Sequence, residues 1–264
     1  MRASVIKGVG FMKIAVVGLG HMGTALVQGL KLGGHTVLGY SSNAKKAEAL
    51  QISAVSTYED LVKADFDVMM LTVPAKLVTA VLAKIVAAGL SEKVIVLSAA
   101  ASVQNADLRA AAPKNPVTTF IPNIPVAVQA GTIALAADES VTGQNDQVVH
   151  DVLESLGDVL VVKEDQLAIA GTIGGCSPAF IDVLMDAMED AAVAKGMDRK
   201  QAGQMVASVV AGTAQLAQQS DLSAGDLKGQ ITSPGGTTIK GVLALDQHGF
   251  RGAVHAAILA AAGD

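Results

Sequence analysis

The 264-residue sequence predicts an α/β fold: a doubly wound sheet over residues 12–163, followed by an all-α domain over 164–264. Three observations predict it. A β-rich apolar run at 13–17 leads straight into Gly18-Leu19-Gly20-His21-Met22-Gly23, and residues 24–30 then show helical apolar spacing. Strand and helix signals alternate up to about residue 163. Beyond Glu164 no convincing strand recurs, and the remaining segments have helical spacing or helix-favouring composition.

Taken in order, the first strand, glycine turn and helix are followed by a second strand at 36–40, a short strand at 52–55 and a brief helix at 58–64. Residues 67–73 form a continuous apolar run, as a parallel strand covered on both faces requires, and Pro74 stops it. Helices at 77–88, 102–111 and 146–156 alternate with strands at 93–98, 117–121, 131–137 and 158–162. Pro122-Asn123-Ile124-Pro125 is an extended loop, because two prolines fix it. The second domain carries helices at 178–196, 199–219, 223–230, 237–247 and 251–262. Its Ala-rich helices hold too few large residues to fill their own core, which predicts packing against a second subunit.

The glycine turn carries chemistry. Gly18 lets the backbone turn, Gly20 lets a pyrophosphate approach the main chain, and Gly23 lets helix pack on strand, while the free N–H groups of the first helical turn hold the anion. This is the pattern of a Rossmann-type dinucleotide-binding domain. No carboxylate ends the second strand to accept from a ribose 2′-OH. Tyr40-Ser41-Ser42-Asn43 and then Lys45 and Lys46 stand there instead, which favours NADP(H) over NAD(H), the latter remaining open; Ser42 or Asn43 can also cap the next helix.

Composition excludes other classes. A net charge of −5 without a Lys/Arg cluster argues against nucleic acid and for a small-molecule substrate. The single cysteine, Cys176, rules out an intramolecular disulfide, and no Cys/His spacing suggests a metal site. No apolar run reaches the roughly 20 residues of a membrane span, and no cleavable leader is evident, so the reading is no membrane and a cytoplasmic setting. Residues 1–11 are given no function.

A second signal lies in the helical domain at Ser233-Pro234-Gly235-Gly236-Thr237-Thr238. Ser as N-cap and Pro as first helical residue predict a helix start. Two glycines in a first turn cost up to about 1 kcal/mol each, unless they leave backbone N–H groups open to a small carboxylate beside the Ser233 hydroxyl. A plain turn with close backbone packing is the competing explanation.

Together these stretches resemble the Δ1-pyrroline-5-carboxylate reductase family over residues 13–262. Ser233 to Thr238 matches the family's Ser-Pro-Gly-Gly-Thr-Thr, Ile121-Pro122-Asn123-Ile124-Pro125 is similar to its Met-Pro-Asn-Thr-Pro loop, and Gly18 to Gly23 is similar to its phosphate loop. Val73-Pro74-Ala75 stands where the family has Lys-Pro-Gln, and Gly175-Cys176-Ser177-Pro178-Ala179-Phe180 where it has Gly-Ser-Gly-Pro-Ala-Tyr. The resemblance implies a homodimer joined through its helical domain, with rings of dimers as a further step. It implies NAD(P)H-dependent reduction of 1-pyrroline-5-carboxylate to L-proline, the last step of proline biosynthesis.

By the same resemblance Thr238 is the catalytic candidate, and Ser233, Gly235, Gly236 and Thr237 bind substrate. Gly18, Gly20, His21, Met22, Gly23, Ser41, Ser42, Asn43, Val73, Pro74 and Asn123 bind cofactor, with Asn123 at the nicotinamide end. An imine reductase, a β-hydroxyacid-dehydrogenase-like enzyme and a non-catalytic NADP-binding regulator remain alternatives.

Overall fold

The computed structural model describes residues 10–41 and 43–263. They form two compact units, the first ending at Gly175 and the second beginning at Cys176.

The first unit is built on eight strands: β1 (Lys13–Val17), β2 (Thr36–Tyr40), β3 (Ser53–Val55), β4 (Val68–Leu71), β5 (Ile95–Ser98), β6 (Val117–Ile121), β7 (Gly131–Ala136) and β8 (Gly157–Val161). Their order across the sheet is β3-β2-β1-β4-β5-β6-β7-β8. Helices α1 (His21–Leu32), α2 (Ala44–Leu50), α3 (Tyr58–Lys63), α4 (Ala75–Ala87), α5 (Asn105–Ala111) and α6 (Gln144–Glu154) connect them. Side chains alternate across each strand. Ile14 and Val16 of β1 therefore enter one apolar cluster, and Ala15 and Val17 the other. Both faces are covered, which is why β1, β4 and β5 are apolar at nearly every position.

β1 pairs in parallel with both β2 and β4, so the strand order reverses beside it. In open α/β sheets that switch point, at the carboxyl ends of the strands, is where ligands bind. Gly18 follows β1 at this place. One pairing departs from an all-parallel sheet: β7 runs antiparallel to β6, because the link between them is only a short 3₁₀ turn, Ile124–Val128, without a crossover helix.

α7 (Leu167–Ala194) departs from the expected start at 178. It is one continuous helix that takes in Gly174, Gly175 and Pro178. Leu167 anchors its first turns against Ala134 and Ala136 of β7, so these turns belong to the sheet unit. The expectation that no stretch is long and apolar enough to cross a membrane also fails here: the helix Glu164–Ala194 is long enough and contains an 18-residue window with a mean hydropathy of 1.6. Small apolar residues on every face raise that average, as they also do in a helix meant to pack against other helices.

The second unit continues with α8 (Arg199–Gln218), α9 (Ala224–Ile231), α10 (Thr237–Gln247) and α11 (Phe250–Ala262). Asp198 caps α8 by accepting from the N–H groups of Lys200 and Gln201, and Ser223 caps α9 by accepting from that of Asp226. Among its described residues only Ala202 and Val206 are buried apolar side chains, while Val183, Met205, Ile231 and Leu259 are all more than half exposed. Such a surface lacks the core that a helical unit needs for itself.

Candidate functional site

In the first unit the candidate cofactor site is the turn after β1. Gly18 has φ +104°, a conformation that favours glycine, and its N–H donates to the Tyr40 carbonyl. A Cβ at Gly23 would overlap the Gly18 carbonyl oxygen, so only glycine lets α1 start so close to the strand. At Gly20, the N-cap of α1, a Cβ would meet nothing within 4 Å, and no side chain caps the helix. The first turn thus keeps its backbone N–H groups open toward a cleft of about 460 Å³ lined by Gly20, His21, Thr24, Gln28 and Lys46. That cleft and those donors fit a dinucleotide pyrophosphate. His21 is exposed as the first residue of α1, whereas Met22 packs against the apolar cluster under the sheet.

Thr72, which sequence reasoning missed, holds this turn from below. Its Oγ1 donates to the Gly18 carbonyl at 2.6 Å and lies 3.1 Å from that of Val17. A hydroxyl at the end of a buried strand was the available signal. Lys46 Nζ donates to the Leu19 carbonyl at 2.9 Å, tying α2 to the loop.

At the end of β2, Ser41 Oγ accepts from the Asn43 N–H and Asn43 Oδ1 accepts from the Lys45 N–H, so Asn43 is the N-cap of α2. Ser42 lies outside the described residues. Tyr40 stacks on Tyr58 with ring centroids 5.0 Å apart, and burial with the neighbouring Tyr58 hydroxyl pushes the Tyr40 phenol up to about 12. Val73 lies against Gly18, and Pro74 opens α4.

Asn123 is buried, and both ends of its carboxamide are engaged. Nδ2 donates to the Gly174 carbonyl at 3.0 Å, and Oδ1 accepts from the Thr132 N–H at 2.8 Å. These two bonds shape the loop, and the carboxamide keeps a second N–H that neither of them uses.

In the second unit the candidate substrate site is Ser233–Thr238, where α10 begins at Thr237 as the 237–247 reading expects, and not at Ser233–Pro234 as the cap reading does. Gly236 is the N-cap of α10, while Ser233 to Gly236 form a turn closed by the Gly236 N–H donating to the Ser233 carbonyl at 3.1 Å. Pro234 in second place and Gly235 at φ +70° in third place are the residues a type II turn demands. The Gly236 N–H is spent in the turn. The open donors are those of the first turn of α10, at Thr237 and Thr238, where no side chain caps the helix. A Cβ at Gly236 would strike Ser233 Oγ, so the second glycine brings that hydroxyl over the helix start. Ser233, Gly236, Thr237 and Thr238 come together in this unit; Gly235 contributes the turn.

Family models cover both units: the NAD binding domain of 6-phosphogluconate dehydrogenase matches residues 13–163, and pyrroline-5-carboxylate reductase dimerisation matches 164–264. The pyrroline-5-carboxylate reductase of Treponema pallidum is 33% identical over 95% of this chain and 98% of its own length. The Escherichia coli enzyme is 32% identical over 92% and 93%. The chain belongs to the pyrroline-5-carboxylate reductase family. Among solved structures, a Plasmodium falciparum pyrroline carboxylate reductase with NADP bound matches with a TM-score of 0.83 and 26% identity over 97% of each chain. A pyrroline-5-carboxylate reductase domain pair of this kind, dinucleotide-binding and then dimerising, accounts for the uncovered apolar helices of the second unit.

Proposed function

We propose that this chain reduces 1-pyrroline-5-carboxylate to L-proline at the expense of NAD(P)H, as a cytoplasmic homodimer able to assemble further into a ring of dimers. The observation that carries the reading is the uncapped start of α10 behind the Ser233 turn, in a chain similar end to end to named reductases. One short turn there offers a small carboxylate both backbone donors and a hydroxyl.

When bound, the reduced nicotinamide would supply a hydride to the imine carbon; the C=N π pair would pass to the imine nitrogen, which enters protonated or takes a proton from water, leaving the amine and the oxidised cofactor. The chain's own residues do the rest. Gly18, Gly20 and Gly23 clear the approach to the N–H groups of α1, with His21 at the mouth. Ser41, Asn43, Val73 and Pro74 border the ribose end, and the nearby Lys45 and Lys46 in place of a carboxylate support a preference for NADP(H). Ser233 with the Thr237 and Thr238 N–H groups grips the substrate carboxylate. The Thr238 hydroxyl holds the imine nitrogen in line, a positioning task first, because a threonine hydroxyl is a weak acid.

Following the oxidation of NADPH and of NADH with pyrroline-5-carboxylate tests the reading. Turnover with NADPH, at a lower KM than with NADH, is expected. Absence of turnover with both cofactors overturns it.

A further inference from the structure

Asn123 and Pro178 are linked through one carbonyl. An α-helix bonds each N–H to the carbonyl four residues back, and proline has no N–H to give. Pro178 lies inside α7, so the carbonyl it leaves without its helical donor is that of Gly174. That carbonyl receives the Asn123 Nδ2 hydrogen bond at 3.0 Å. The opposite end of the same carboxamide holds Thr132 at the start of β7.

The loop that carries Asn123 is itself pressed onto the cofactor helix. A Cβ at Gly29 of α1 would overlap the Val126 carbonyl oxygen, so α1 and the turn Ile124–Val128 are in backbone contact. One short loop therefore touches the helix that starts at the phosphate turn and also the turn of α7 at which the first compact unit ends.

We infer that Asn123 is a positioning residue for the reduction, a side-chain donor that replaces the missing N–H of Pro178 and pins α7 to the loop resting on the cofactor helix. The inference rests on the proposed activity for its kinetic consequence only. A carbonyl left unpaired at that place loosens α7 where it passes into the unit that holds Ser233 and Thr238. Misplacement of reacting groups by an ångström costs up to about 100-fold in rate.

A double-mutant cycle tests it. Asn123→Ala removes the donor to Gly174 together with the acceptor for Thr132, and the cycle subtracts the Thr132 part because it is lost in both backgrounds. It is expected to lower kcat by roughly 10-fold or more while the KM for NADPH stays within about twofold, a split that general destabilisation does not produce. Pro178→Ala restores a helical N–H to Gly174, so in that background Asn123→Ala should have a clearly smaller effect on kcat and on the unfolding midpoint. An equal loss in both backgrounds, or no loss in either, overturns the inference. If Asn123→Ala alone does not fold, adding Pro178→Ala must recover folding, and failure to do so overturns it as well. Should the wild-type chain show no reduction at all, the coupling in unfolding midpoints still reads the clasp, so the two failures are separable.

Discussion

Gly23 stands so close to Gly18 that a methyl group on the first would occupy the place of the second's carbonyl oxygen, with Thr72 Oγ1 only 2.8 Å away. The carbonyl is backbone of the turn and the hydroxyl is hydrogen-bonded to it, so neither yields easily. Gly23→Ala is expected to lower the melting temperature and to weaken NADPH binding at least 10-fold, because the helix start must move off the strand. Gly20→Ala is the contrasting case. Its methyl group enters open space, so the melting temperature should hold while NADPH titration shows a loss, since that space is where the pyrophosphate approaches. Unchanged binding in Gly20→Ala would exclude this turn as the phosphate site.

In the second unit, Ser233→Ala removes a hydroxyl set over the start of α10 without touching the turn that Pro234 and Gly235 fix. A hydrogen bond to a charged group contributes about 1.5–3 kcal/mol, which is roughly 10- to 150-fold in affinity. The KM for pyrroline-5-carboxylate should rise within that range, with the Kd for NADPH unchanged. Thr238→Ala should instead lower kcat, because its hydroxyl is assigned to the imine nitrogen. Steady-state kinetics at fixed saturating NADPH separate the two, and equal effects of both variants on NADPH binding would contradict the division of labour.

Much of this was legible in the sequence because local rules and tertiary structure agree around β1. Three glycines, an apolar strand and a helical stripe say the same thing, and the structure obeys all three. The start of α7 was not legible. Pro178 is a good first helical residue and Gly174-Gly175 disfavours a helix, so local signals place the start at 178. The donor that meets the Gly174 carbonyl inside that helix comes from Asn123, 51 residues away, and the packing of Leu167 is on β7, neither of which a local signal reveals. Ser233-Pro234 misled in a similar way, since Ser before Pro suits a helix cap and a type II turn equally, and only the φ of Gly235 decides. Thr72 was invisible because its partners lie 54 and 55 residues back.

His35 gives the fold a defined response to acid. The Met12 N–H donates to its Nδ1 at 3.4 Å, so Nε2 carries the proton and donates to Ser155 Oγ at 3.2 Å, which in turn donates to the Val152 carbonyl. Burial pushes the imidazole below its usual 6.5. The unfolded chain therefore takes up a proton on His35 before the folded chain does. The neutral ring's contribution is fully present above about pH 6.5 and is lost as pH falls below it, levelling once the folded form also protonates. Urea unfolding from pH 8 down to pH 5 should show wild-type stability falling faster than that of His35→Gln, and parallel curves would remove His35 from the account.

Arg109 of α5 and Asp138 after β7 supply a test within the first unit that leaves the phosphate turn untouched. Nη1 of Arg109 pairs with Asp138, whose side chain is 4% exposed, and lies 3.6 Å from the exposed Glu139. The Ser140 N–H also donates to Asp138 at 2.9 Å. Arg109→Met leaves a buried carboxylate with one neutral donor, and breaking such a pair from one side costs about 3–5 kcal/mol. Asp138→Asn leaves a neutral amide facing an arginine that can turn to water or to Glu139, so it should cost about half as much or less. The expected order in denaturant midpoints is wild type, then Asp138→Asn, then Arg109→Met. Both variants should keep the wild-type KM for NADPH, because neither side chain lines the cleft before α1. The reverse order of midpoints would mean that Arg109, rather than Asp138, is the group that suffers when the pair is broken.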